Sequence, residues 1–367
     1  MKKLSALILS LVFTAVAVTG CASVPAPSSA PASAPVEAAS SAPEAPVSSQ
    51  AESAAVPAAS SEAASAADPA DVNILALKGP TAMGMVQFMQ AAESGDAADN
   101  NYNFSIVAAV DEVAPKLVKG EVDIAAVPAN LASVLFNNTK GGVQVLAVNT
   151  LGVLYIVESG DTVKSVEDLR GKTIYASGKG ATPEYALNYI LAQNGLTDDV
   201  TIEWKSEHAE CVAVLAGTEN AIAMLPQPFA TTAQVKAPAI RTALDLTKEW
   251  DVLQANAAAP SSLITGVVVV RTAYAKEHPK AVSAFLDYYK ASTDYVNANI
   301  ADAAALVEKY DIVPAAIAQK ALPLCNITFI EGSEMKNKLS GYLNVLFEQN
   351  EKSVGGALPT DDFYYSR

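Results

Sequence analysis

The chain has 367 residues, a formal net charge of −15 and 51% hydrophobic residues. It carries no basic run to set against that acidity, which excludes the usual footprint of a nucleic-acid binder. Three cysteines and two histidines leave little material for metal or nucleophilic chemistry.

The first residues, "MKKLSALILSLVFTAVAVTGC", place Lys2 and Lys3 before an apolar run over 4–18 and small residues before Cys21. That order predicts a secretory signal over 1–20. Its Val-Thr-Gly-Cys ending resembles the lipobox of bacterial lipoproteins, which makes Cys21 the expected lipidated first residue of the mature chain. Residues 21–70 are almost only Ala, Ser, Pro and Glu without one aromatic side chain. Such a segment cannot bury enough apolar surface to fold and reads as a tether with an average reach of roughly 40 Å. The remaining length suffices for two lobes around substantial cores.

The folded part opens with "NILALKGPTAMGMVQFMQ". A short apolar strand over 73–77 runs through turn residues into a helix, with Gly79 or Thr81 as N-cap and Pro80 in the first turn. Residues 104–110 read as a second strand and 111–119 as a short helix with Val113 and Leu117 inward. Residues 123–127 form a third strand ended by Pro128, after which Asn130 caps a further helix. "VQVLAVNT" and "LGVLYIVES" add two strands. This alternation predicts an open, largely parallel sheet with helices on both faces, and ligands in such sheets sit beyond the carboxyl ends of the strands.

The plan then repeats. A strand over 173–176 is followed by a Gly-rich loop and a helix with Thr182 as N-cap, Pro183 in its first turn and Gly195 at its end. "GTENAIAMLPQPFATTA" from Gly217 parallels "GEVDIAAVPANLAS" from Gly120: a glycine, a polar pair, an apolar strand and a proline at its carboxyl end. Two related lobes are expected, each offering a strand-to-helix loop and a strand-Pro loop to a shared cleft. The apolar strand in "LITGVVVVRT" and the long helices after it suggest that the chain crosses back to complete the first lobe. Two crossings make a hinge. The expected division is 71–153 for the first part of lobe 1, 154–264 for lobe 2, and 265–367 for the return to lobe 1 with the C-terminal helices.

Catalytic and nucleotide motifs fail on residue identity. "SGKGATP" lacks the Ser or Thr that a P-loop needs after Gly-Lys, and Pro183 occupies the third glycine position of a dinucleotide fingerprint. His208 and Cys211 in "HAEC" have helical spacing, half of a metal site with no second pair to complete it. His278 precedes a proline at a helix start, and Asp198 and Asp199 sit together in a turn. No GxSxG elbow is present. Neither catalysis, a metal nor a cofactor is expected. Cys211 and Cys325 are read as independent buried thiols, a disulfide between them being the alternative.

The lipobox, "GEVDIAAVPA", "SVEDLRGKTIYASGKGATPEYAL", "MLPQPFATTA" and "KEHPKAVSAFLDYYKASTDYVNAN", in that order and spacing, resemble the solute receptors of ABC importers. The group they look most like is the nitrate, sulfonate, taurine and thiamine-precursor receptors. The resemblance implies an α/β, two-lobed type II periplasmic-binding-protein clamshell, each lobe a mostly parallel sheet flanked by helices, with a two-strand hinge. It further implies a lipid-anchored monomer that closes on a small solute outside the cell membrane and delivers it to a permease and its ATPase. Two rivals are an enzyme on the same fold, similar to pyrimidine-precursor synthases, and a ligand sensor that transports nothing.

Carried over by position, the resemblance implies ligand contacts at Gly79, Pro80, Thr81 and Met83, at Pro128, Ala129 and Asn130, and at Asn149 and Thr150. In the second lobe it implies Gly180, Ala181, Thr182 and Tyr185, then Pro226, Gln227, Pro228 and Phe229. Gln227 stands where a common family pattern has an acidic residue. Lys78 and Lys179 flank two helix N-termini whose free N–H groups suit an anionic or oxygen-rich head group. Met83, Tyr185 and Phe229 suit an attached apolar or heteroaromatic part.

Overall fold

A computed structural model of the chain describes residues 69–255, 257 and 260–367. The signal, Cys21 and nearly all of the expected tether lie outside them. The chain runs β1 (Asp71–Leu77), α1 (Pro80–Met83), α2 (Val86–Ser94), β2 (Asn101–Val107), α3 (Val113–Lys119), β3 (Ile124–Pro128), α4 (Ala129–Asn138) and β4 (Val143–Leu151). It continues with β5 (Leu154–Glu158), β6 (Thr173–Ser177), α5 (Thr182–Gln193), β7 (Thr201–Lys205), α6 (His208–Gly217), β8 (Ile222–Pro226), α7 (Phe229–Lys236), β9 (Arg241–Asp245) and α8 (Leu246–Gln254). It closes with β10 (Ile264–Arg271), α9 (Thr272–Glu277), α10 (Pro279–Ala298), α11 (Ile300–Lys309), α12 (Ala315–Ala321), β11 (Ile327–Ile330) and α13 (Gly332–Gln349).

Two sheets result, of strand order β11-β4-β10-β3-β1-β2 and β7-β6-β8-β5-β9. In the first, β1 pairs in parallel with β2 and β3, while β10 is antiparallel to both β3 and β4. In the second, β6 pairs in parallel with β7 and β8, while β5 is antiparallel to both β8 and β9. Apart from the added edge strand β11, the two sheets therefore share one plan, with β10 and β5 as the reversed strand of each. The parallel character read from the sequence belongs to the βαβ part of each lobe. The reversed strands follow from the chain crossing between lobes, which delivers β5 and β10 from the opposite end.

The crossings are tight. Gly152 and Val153 link β4 to β5, and the return strand begins with Ile264 paired to Leu151. A Cβ on Gly152 would lie 2.1 Å from Thr247 Oγ1 and 2.9 Å from Leu263 Cδ2, so the crossings touch where only glycine fits. One face of the first sheet packs on α2 and α10 through Phe88, Phe285 and Tyr289. The core on its other face continues into the second lobe, where Tyr342 of α13 meets Trp250 of α8 at a ring separation of 5.6 Å.

Several local expectations are corrected. The helix after β1 is broken into α1 and α2 because the Ser292 hydroxyl of α10 enters its backbone ladder. It donates to Gly84 O at 2.8 Å and accepts from Phe88 N–H at 3.1 Å, the two groups that would otherwise bond each other. The second strand covers Asn101–Val107 rather than 104–110, and a 3₁₀ turn at Val110–Glu112 leads into α3. Asn130 and Thr182 are not caps: the N-cap positions are Pro128 and Ala181, and both side chains lie inside the first turn of α4 and α5. Cys211 and Cys325 are free and buried.

Candidate functional site

A cavity of about 370 Å³ lies at the carboxyl ends of β1, β2, β3, β6 and β8 and is walled by both lobes. That size falls within the range of small-molecule sites. On the first-lobe side the β1–α1 loop supplies Lys78, Gly79, Pro80 and Thr81. Gly79 is the N-cap of α1 with φ of 138°, a conformation that favours glycine, and its carbonyl accepts from Ala82 N and Met83 N, both at 3.0 Å. Pro80 opens the helix, and the Thr81 hydroxyl donates back to Leu77 O at 2.9 Å. Lys78 Nζ reaches Asp311 at 3.2 Å on the rim. Pro128 and Thr150 also line this wall.

The approach of Thr81 to β4 depends on Gly266 in β10. A Cβ there would meet Thr81 Cγ2 at 2.8 Å, Asn149 Oδ1 at 2.5 Å and Thr150 Cβ at 3.1 Å. Asn149 is buried; its Oδ1 accepts from the Thr150 hydroxyl at 3.1 Å and its Nδ2 has no hydrogen-bond partner.

The second-lobe wall is formed by Ala181 and Thr182 at the start of α5, by Pro226, Gln227, Pro228 and Phe229 between β8 and α7, and by His208 at the start of α6. Gln227 Oε1 accepts from Thr231 N at 3.3 Å and from the Thr231 hydroxyl at 2.8 Å. Phe229 lies 4.8 Å from the His208 ring, centroid to centroid, at an interplanar angle of 48°. His208 Nδ1 is hydrogen-bonded to the Ser177 hydroxyl, and burial lowers the imidazole pKa to about 4. The ring is neutral at physiological pH.

Other residues expected at the site do not reach the cavity wall. Met83 and Ala129 are fully buried, Met83 with its sulfur 4.0 Å from that of Cys325. Lys179 and Gly180 are exposed, with Gly180 N–H bound to Glu184 at 2.6 Å. Tyr185 packs into the core of the second lobe. Asn130 is buried between the lobes, where its Oδ1 accepts from the Thr182 hydroxyl at 3.4 Å and its Nδ2 donates to Ser353 O at 3.4 Å. Thr182 also lies beside the buried Tyr342 hydroxyl.

The wall contains residues that the sequence reading passed over: Ala108 and Val110 after β2, Val153 and Leu154 at the crossing, Thr265, Pro183 and His208. His208 had a usable signal, since it opens a helix directly after a strand, as the other wall loops do.

Residues 140–303 match the model of the family described as NMT1/THI5 like. No curated protein sequence matches the chain. Among solved structures, an ABC transporter protein from Parabacteroides distasonis superposes with a TM-score of 0.68 at 22% identity, covering 81% of this chain and 99% of its own. The periplasmic aliphatic sulphonate binding protein SsuA from Escherichia coli gives 0.64 at 15% identity, covering 81% and 92%. The alkanesulfonate-binding protein SsuA from Xanthomonas axonopodis pv. citri, bound to MOPS, gives 0.59 at 15%, covering 80% and 96%. With two lobes of matching strand order around one cavity, the chain has the type II periplasmic-binding-protein fold and carries an NMT1/THI5-like segment at 140–303.

Proposed function

We propose that the chain is the solute receptor of an ABC importer, held outside the cell membrane by a lipid on Cys21. It closes as a monomer on a small organic solute and presents it to a permease and its ATPase. The observation that carries this reading is the cavity walled by strand-end loops of both lobes and bordered by two adjacent crossings. Contacts made by both walls favour the closed arrangement, and a ligand shifts that equilibrium by its difference in affinity for the two states. The sulfonate-binding neighbours support the solute class, since the wall offers hydroxyl, amide and helix N-terminal donors suited to oxygen acceptors. No catalytic step is assigned. Among the described residues no helix is long and apolar enough to cross a membrane.

The test is the thermal stability of the purified chain against alkanesulfonates, taurine, nitrate, pyrimidines and amino acids. A solute at a hundredfold excess over its dissociation constant stabilises by about 2.7 kcal/mol, a readily measured rise in melting temperature. A rise confined to one chemical class identifies the solute. No rise with any class removes the reading.

A further inference from the structure

On one side of the sheets the apolar core runs from one lobe into the other. On the opposite side each lobe has a core of its own. Phe88, Phe285 and Leu322 belong to that of the first lobe, and Tyr155, Cys211 and Ala230 to that of the second. Parting the lobes on this side breaks no shared core, yet a hydrogen bond spans it. Tyr155, 4% exposed on β5 of the second lobe, donates its hydroxyl to Leu324 O of the first lobe at 2.9 Å. A carbonyl only accepts, so the sense of the bond is fixed, and burial raises the phenol pKa, which keeps the proton in place.

The acceptor is held firmly. Leu324 lies between Leu322 and Cys325, both buried in the first-lobe core. Two residues on, Asn326 has φ of 44°; its carbonyl accepts from Leu151 N–H at 3.1 Å and its Nδ2 donates to Gly152 O at 2.5 Å. The Leu324 carbonyl is thus fixed beside the first crossing, facing a strand of the other lobe. The preceding helix α12 packs against α7, whose first residue is Phe229 of the cavity wall.

We propose that the Tyr155 hydroxyl and the Leu324 carbonyl form a latch that holds the lobes in this arrangement while the cavity is empty. The latch raises the share of closed, solute-ready molecules, and apparent affinity scales with that share. Tyr155 is a positioning residue, one position along from Leu154 of the cavity wall. The latch goes beyond the receptor reading and takes from it only that the lobes move.

The first arm needs no solute. Single-molecule energy transfer is measured in the full chain carrying Cys21→Ala, with dyes at Val118→Cys on α3 and Val235→Cys on α7. Both positions are exposed, whereas Cys211 and Cys325 are buried and stay unlabelled. In Tyr155→Phe the ratio of closed to open molecules is expected to fall about fivefold, the effect of one hydrogen bond net of hydration. An unchanged or higher ratio overturns the latch. Asn326→Gly keeps the left-handed backbone but loses the bond to Gly152 O, and is expected to move the ratio the same way. It decides the matter if Tyr155→Phe does not fold. In the second arm, a solute found by thermal stability is expected to bind Tyr155→Phe more weakly by the factor by which the closed share falls. Unchanged affinity beside a lowered closed share overturns the latch's role in binding. The lobe ratio is read without solute, so a receptor reading that fails its own panel leaves this test intact.

Discussion

Thr182 and Asn130 have the residue types of helix caps, yet their side chains turn towards each other across the two lobes. Proline ends β3 and alanine precedes α5, so each backbone enters its helix without a side-chain cap and leaves the polar group free for a longer-range partner. Sequence shows the residue type and the helix start, whereas the partner lies 52 positions away. Thr182→Val and Asn130→Ala, combined in a double-mutant cycle of denaturant unfolding, are expected to show a coupling of about 0.5 kcal/mol or more. Strict additivity would mean that the contact holds nothing. A second residue-scale expectation concerns Glu158, whose side chain is fully buried beside Arg241 at 2.7 Å. Burial raises its pKa, but hydrogen bonds from Thr162 and Val163 and the Arg241 charge outweigh that, and the net shift is downward. A carboxylate with a lowered folded-state pKa contributes stability above its unfolded pKa of about 4.3, and that contribution is lost as pH falls through the folded value. Glu158→Gln is therefore expected to cost about 2 kcal/mol at pH 7. Unfolding curves taken down to pH 3 should show the gap between variant and parent closing. A gap that stays constant would contradict the assignment.

At the scale of elements, the strands were the most legible parts of the chain. The apolar runs of β1, β3 and β10 are buried on both faces, as near-continuous hydrophobic strands are expected to be. The break between α1 and α2 was not legible, because Ser292, which causes it, lies 204 residues from Phe88. The twofold pattern of strand, proline and helix did show in the sequence, and it reappears as the equivalent placement of β3 with α4 and β8 with α7 in the two sheets. Pro128 and Pro226 to Phe229 in the cavity wall follow from that pattern alone. Val153, Leu154 and Thr265 come from the crossings, whose placement depends on how the lobes pack. Gly152 is the element-scale test. Its α-hydrogen faces Thr247 and Leu263, and Gly152→Ala forces the two crossings apart at a cost of about 1–3 kcal/mol. Thr247→Ala removes the nearer clash, and its hydroxyl has no hydrogen-bond partner to lose. The pair Gly152→Ala with Thr247→Ala is thus expected to recover part of the stability lost by Gly152→Ala alone. Failure to recover any would place the strain elsewhere.

For the whole molecule, the two sheets are joined by more than the crossings. The core that includes Trp250 and Tyr342 runs from α8 in one lobe to α13 beside the other, so this side of the molecule is a packed seam and the cavity side is where the lobes can part. On the proposed reading the chain acts near a permease, which makes attachment a property of the entire chain rather than of the cavity. Cys21 lies outside the described residues, and its role is a proposal carried by the sequence that precedes and includes it. Cys21→Ala is expected to move the protein from the membrane fraction to the soluble fraction of the producing cells. Its melting temperature and its response to solute should not change once purified, because the cavity draws its wall from positions 77–265. Mass spectrometry of the mature N-terminus provides the second reading: a diacylglycerol-modified cysteine in the parent and none in the variant. If the variant stays with the membrane, the anchor is some other part of the chain. If it is released but no longer responds to solute, attachment and binding are coupled, and the cavity is not the independent module that its geometry describes.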